Sequence, residues 1–353
     1  MGSNALSKIT TGDDCTAVGS AALALNTASN NSAFGRSALN ANTSGTSNVA
    51  VGYQALTANT TSNNNTAVGT QTLLYNTTGA QNTATGVHAL RDNVDGEYNT
   101  ANGTFALLEV TSGSYNTGIG ANAARNIQTV DDTTAIGYNA LRNTTVGGNV
   151  AVGKNAGANL TTTDKSVAIG KDALATSTYG SANTAIGWEA LKDANPSYNN
   201  VAVGAKALHH TTTGNNNVAV GSQALENNTT GQLNVGIGYG ALQNSIAEDD
   251  NVAVGHNAMQ SSTTSTRCVA VGRFAMQYAS LAANENTAVG YRSLNATTTG
   301  ANNVAVGKDA LLSNTTGINN VAIGELALDA NTTAQNCTAV GRAALSASTG
   351  LIT

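Results

Sequence analysis

Apolar residues return along this chain in fixed columns, and the stretch from Asn303 to Asn319 shows one full period. It runs Asn-Val-Ala-Val-Gly, two variable residues, Ala-Leu, and then the largely polar Leu-Ser-Asn-Thr-Thr-Gly-Ile-Asn. Twenty glycines, from Gly19 to Gly341, anchor twenty copies spaced by seventeen residues, with two gaps of sixteen and one of eighteen. Self-similarity at a fixed period marks stacked units, each touching only its neighbours. Positions are counted here from the anchor glycine. Position −1 is Val or Ile in seventeen copies, −3 is Val or Thr in all but Ser32, and −2 is Ala except at Gly118 and Gly236. Alternation along a strand sends −3 and −1 to one face and −2 to the other. β-Branched residues at −3 and −1 agree with an extended backbone.

The pattern predicts a first strand over −3 to −1 and a corner at the glycine, where positive φ or close backbone approach excludes a side chain. A second short strand is expected through Ala at +3 and Leu at +4, folding back onto the first. Helix is excluded on length, because no ten-residue stretch between anchors is free of Gly, Asn or Thr clusters. Turn chemistry at +8 to +10, often Thr-Thr-Gly, closes the coil, and Pro196 falls there. Asn occupies −4 in fifteen copies, which predicts an amide ladder along the stack. At the usual strand spacing, twenty such coils would extend about 95 Å. The expected fold class is therefore all-β, a parallel β-solenoid of about twenty coils. It forms a single repeat domain over 1–353, with a half coil at 1–14 and twenty repeats over 15–353.

A strand apolar on both faces is covered on both faces, and a thin coil cannot supply both covers. Val and Ile are expected inside with the Leu column. The Ala column, including Ala202, Ala219, Ala253 and Ala305, is expected against a neighbouring chain, most economically by cyclic symmetry. Gly2 lies seventeen residues before Gly19, and Thr353 is the last residue before another first strand would start. The ends are therefore expected to stack on further copies or on a partner.

Two copies, Ser166-Val167-Ala168-Ile169-Gly170 and Asn183-Thr184-Ala185-Ile186-Gly187, carry a family signal. The unit resembles the head repeat of trimeric autotransporter adhesins, the YadA-like head, over essentially the whole chain. The resemblance implies a left-handed parallel β-roll, a homotrimer around one axis and a role in surface attachment. Similar repeats occur in virion and phage fibres. The period of seventeen is longer than the family's usual unit, and neither a coiled-coil stalk heptad nor a C-terminal barrel segment is seen in the sequence.

Composition narrows the function classes. Over 353 residues, charged residues make up 10%, aromatics 4%, and there is one proline, so the core must be thin and built of small side chains. The Asn and Thr runs suggest disorder, but disorder has no reason to hold apolar columns in register. A net charge of −5 with scattered bases offers no stripe for nucleic acid. No run of eighteen apolar residues exists, so no helical membrane insertion is expected. The opening MGSNALSKITTG lacks the charged-then-apolar pattern of a leader.

Candidate chemistry is sparse. Cys15, Cys268 and Cys337 all occupy −4. The nearest two lie four coils apart, roughly 19 Å, too far for a disulfide, so they replace Asn in the ladder or bridge chains. The pairs Asp13-Asp14, Asp131-Asp132 and Asp249-Asp250 recur at −6 and −5 and are weak Ca²⁺ candidates against a solvated turn. His88, His209, His210 and His256 fall on variable positions, and no catalytic or metal-ligand spacing is assembled from them. Neither an enzyme nor a cofactor is expected. Thr-Thr at +8 and +9 raises ice binding, although that column breaks at Val94-Asp95, Asn195-Pro196, Ile246-Ala247 and Ser280-Leu281. Recognition would sit at +1 and +2, which carry Tyr53, Tyr138, Lys154, Lys171, Trp188, Tyr239, Arg273, Phe274, Tyr291 and Arg292. Tyr, Trp and Arg are favoured at binding hot spots.

The function expected from sequence is a non-enzymatic trimeric β-solenoid acting as a fibre or adhesin. It would be extracellular, on a cell or virion surface, and would meet a host-surface glycan or protein. The alternatives are a self-polymerising filament subunit without a receptor, and an ice-binding protein.

Overall fold

A computed structural model describes residues 2–10, 12–279 and 283–347. The Ser280-Leu281 break in the Thr column and the terminal Thr353 lie outside the described residues. The chain divides into two compact units, Met1–Thr178 and Tyr179–Thr353. Both are all-β parallel solenoids, and no helix occurs among the described residues.

The first unit carries ten three-residue strands, from Thr16–Val18 to Val167–Ile169, each spanning −3 to −1 of its repeat. The second carries ten more, from Thr184–Ile186 to Thr338–Val340, and a further short pair, Gly180–Ser181 with Ser197–Tyr198. Successive strands within a unit pair in parallel, like residue on like residue: Val201 on Val218, Ala202 on Ala219, Val203 on Val220.

Inter-coil hydrogen bonds run round the coil rather than through the strand alone. In the coil of Gly52, the Val49 N–H donates to Asn65 O at 2.8 Å and the Gly52 N–H to Phe34 O at 2.7 Å. Past the corner, the Gln54 N–H donates to Arg36 O, the Leu56 N–H to Thr72 O and the Ala58 N–H to Leu74 O. The second strand expected at +3 and +4 does not form. Gln54 at +2 and Leu56 at +4 have φ of 56° and 51°, left-handed values that no strand contains, and this alternation recurs from coil to coil. Each left-handed residue costs about 1–2 kcal/mol. The corner's hydrogen bonds to the adjoining coils, worth about 1 kcal/mol net each, offset that strain.

The anchor glycine is required on two counts. Gly52 has φ of 135°, and a Cβ there would lie 2.3 Å from the carbonyl oxygen of Gly69 in the next coil.

The core reverses the expected orientation of the strand. The Ala column at −2 points inward, and Ala202, Ala219, Ala253 and Ala305 are fully buried within their own chain. They are therefore not the interchain contacts expected from sequence. The Leu column at +4 is buried with them, Leu56, Leu208 and Leu225 among its members. Val and Ile at −3 and −1 face outward, as the burial of the strands at Val49–Val51 and Val218–Val220 shows. Interior width is the physical reason. At Gly118, on the −2 column, even a Cβ would come within 2.8 Å of Leu107 Cγ and 3.3 Å of Ala123 O. A Val or Ile cannot enter a space that barely admits a methyl group.

The Asn ladder at −4 forms. The Asn82 N–H donates to Asn65 Oδ1 at 2.9 Å, and Asn65 Nδ2 donates to Gly79 O at 3.0 Å. Replacing Asn65 with Ala leaves the buried Asn82 N–H without its acceptor, so unfolding by urea is expected to show a loss of about 1–3 kcal/mol. Gly52→Ala meets both left-handed φ and backbone overlap and is expected to lose more.

Candidate functional site

With Ala and Leu inside, each strand presents Val, Ile and Thr to the outside. Val220 is 36% exposed and Ile323 41%, although each is stacked between like neighbours in adjacent coils. Because strand pairing is parallel and in register, these side chains form two continuous columns on the outer strand face of each unit. In the first unit the −3 column is mostly Thr, with Thr66, Thr83, Thr100, Thr117 and Thr134 in consecutive coils. In the second unit it is mostly Val.

Across the glycine corner from these columns lie positions +1 and +2. In the second unit they carry a run of rings through four successive coils. Tyr239 stacks on His256 with centroids 5.2 Å apart, His256 meets Phe274 edge-on at 5.5 Å, and Phe274 meets Tyr291 at 6.2 Å. Arg273 lies 4.5 Å over Phe274, and Arg292 lies 5.1 Å over Tyr291. Arg292 Nε also donates to Asp309 Oδ1 at 2.8 Å, and that bond raises the Arg292 pKa further. The sequence-predicted Tyr239, Arg273, Tyr291 and Arg292 are thus brought together. Trp188, with Lys206 5.3 Å over its ring, belongs to the same columns. Among the described residues, Tyr53 has Arg36 as its ring contact, at 5.9 Å, and Tyr138 makes none. His256 was not singled out for recognition, yet it lies seventeen residues after Tyr239, and that spacing alone identifies it as a neighbour.

Among the described residues, none of Asp13, Asp14, Asp131, Asp132, Asp249 or Asp250 joins a group of three metal-ligating side chains. Asp131 Oδ1 instead accepts the Ser114 N–H at 2.7 Å, and Asp249 Oδ1 accepts the Gln232 N–H at 2.7 Å. Asn63 does the same for Thr46, so −6 is a ladder of its own on the outer turn.

The Thr column at +8 is likewise consumed by the stack. The hydroxyl of Thr43 donates to Thr60 O at 3.0 Å, and Thr229 to Ile246 O at 2.9 Å. These hydroxyls are not a free rank, so this column does not support ice binding. The histidines do not all stay scattered, contrary to the sequence expectation: His209 and His210 meet Asp193 one coil away.

The three thiols take the place of the Asn amide. Cys268 N–H donates to Asn251 Oδ1 and its Sγ to Ala283 O at 3.0 Å, and Cys337 N–H donates to Asn320 Oδ1. Cys15 Sγ donates to Ala28 O at 3.1 Å. Cys268 and Cys337 are buried, Cys15 is half-buried, and all three are free. Interchain bridging through Cys268 and Cys337 would require the coil to open.

Comparison with protein-family models gives no match, and comparison with curated proteins gives none. The likeness to adhesin heads therefore rests on the repeat residues themselves.

Burial pushes the Cys268 thiol up to about 11, so little thiolate forms near neutrality. Native-state labelling with a maleimide, read by mass spectrometry, is expected to modify Cys15 first and Cys268 only on unfolding.

Proposed function

We propose that this protein is a non-enzymatic structural component whose copies pack together through the outer Val/Ile/Thr columns, three around one axis, to build a fibre or its head. The carrying observation is the exposed face of Val, Ile and Thr itself, repeated in ten strands of each unit. With ten coils at the usual strand spacing and a strand width of roughly 10 Å, the strand face spans about 500 Å² per unit, and it is most apolar in the second unit, where −3 is mostly Val. Lone soluble proteins rarely expose more than a few hundred Å² of contiguous apolar surface. A solenoid of identical coils suits a mechanical task, since stability grows by neighbour contacts and needs no reaction centre. Surface attachment would use the ring and guanidinium run from Tyr239 to Arg292, repeated in every copy so that weak contacts with a surface glycan or protein add by avidity. The setting that fits is extracellular, on a cell or virion surface.

Sedimentation is the direct test. The native chain is expected to sediment as a trimer, and Val220→Lys combined with Val254→Lys is expected to give monomers with an unchanged circular-dichroism spectrum. A native chain that stays monomeric in dilute buffer ends the proposal.

A second reading, ice binding, has one observation in its favour: the five consecutive Thr residues of the −3 column, Thr66 to Thr134, lie on a flat strand face. Thermal hysteresis with ice shaping would mark it, and unaltered ice growth at high protein concentration would close it.

A further inference from the structure

Residues seventeen apart become neighbours, and one such pair places a carboxylate against an imidazole. Asp193 and His210 both stand at +6 of adjoining coils in the second unit, with His210 Nδ1 3.1 Å from Asp193 Oδ2. His209, next in the chain, turns its ring toward His210 with centroids 4.2 Å apart. One ligating atom from each of Asp193, His209 and His210 lies within 4.8 Å of the other two.

His209 is the unusual member. Its side chain is only 10% exposed, and neither ring nitrogen has a hydrogen-bond partner among the described residues. Buried polar groups are nearly always paired, and an orphaned one calls for an explanation. Around it stand Glu189, whose Oε2 lies 3.6 Å from Nε2, and Lys192, which holds the other oxygen of Glu189 at 3.3 Å. Burial, and then the His210 ring, lower the His209 pKa, as Lys192 does to a smaller degree, while Asp193 and Glu189 pull it up.

We propose that Asp193, His209 and His210 form a binding site for a single divalent transition-metal ion, zinc being the fitting choice. Two imidazoles and a carboxylate are the donor set of a three-ligand zinc site. Donors bound at about 2.0–2.1 Å lie roughly 3.3 Å apart. The Asp193–His210 pair already has this spacing, and a side-chain rotation brings in His209. Glu189 Oε2, 3.6 Å from His209 Nε2, is close enough to serve as the carboxylate that orients a metal-bound histidine. The half-exposed side of Asp193 and His210 leaves the remaining coordination position to water. Because its ligands come from two coils, the ion staples one to the next.

The test uses the full chain, stripped of metal by a chelator and dialysed. Zinc is added in competition with a chromophoric chelator, and cobalt is followed by its visible ligand-field absorption. A single site of micromolar or tighter affinity is expected, with His209→Gln and Asp193→Asn each weakening it about tenfold or more. His88→Gln is expected to bind as the native chain does. Absence of zinc uptake at micromolar concentration overturns the proposal, and so does a tight site unaffected by both Asp193→Asn and His210→Gln. These last two variants alter part-exposed side chains, so they decide the matter even if His209→Gln fails to fold.

Discussion

The interior of each coil is about one methyl group deep on the strand side, and the rest of the molecule follows from that limit. Leu at +4 enters from the turn side and fills the space, leaving the strand room only for Ala or Gly at −2. Everything larger on the strand has to face out. The β-branched residues that favour an extended backbone therefore become surface, which is why a water-facing wall of this protein is made of Val, Ile and Thr. A wider coil would have hidden them.

So slim a core supplies little hydrophobic stabilisation per residue, since burying Ala removes little apolar area from water. Polar contacts along the stack supply the rest. Besides the −4 ladder, a second column at +7 lies inside the coil: Asn59 Nδ2 donates to Asn42 Oδ1 at 2.8 Å, Asn76 to Asn59 at 3.1 Å and Asn93 to Asn76 at 2.7 Å. Each amide also binds a turn carbonyl, as Asn93 does at Gly96 O. Where the column turns apolar, at Val110, Ile127 and Leu160, the same space is filled by hydrocarbon. Small hydroxyl residues also occupy the column, at Thr211, Ser262 and Thr297, all fully buried, so the interior accepts an amide, an aliphatic group or a small hydroxyl at this position.

Much of this could be read in the sequence because the repeat acts as its own alignment. Twenty copies fixed the period, the glycine corner, the first strand and the Asn ladder, each a column of one residue type with one physical role. The direction of the strand was not legible, since Val-Ala-Val is apolar on both sides and only the space beside Leu107 decides between them. Nor was the left-handed alternation at Gln54 and Leu56, because Gln and Leu carry no mark of positive φ as Gly does. At the surface, Asp193 and His210 seemed unrelated when read along the chain. Only wrapping the chain at seventeen residues puts the two on one edge.

The unequal coils show where the solenoid tolerates change. Strand register is kept where the repeat shortens to sixteen residues, Thr134 on Val150, and where it lengthens to eighteen, Val269 on Thr287. Where the repeat shortens, the slack is taken up on the turn side, between Thr27 and Asn30 in the first such coil, away from the Ala–Leu interior. Foreign peptide loops grafted there, one per coil, would be displayed as an evenly ruled comb with teeth about 4.8 Å apart, while the opposite wall kept its composition.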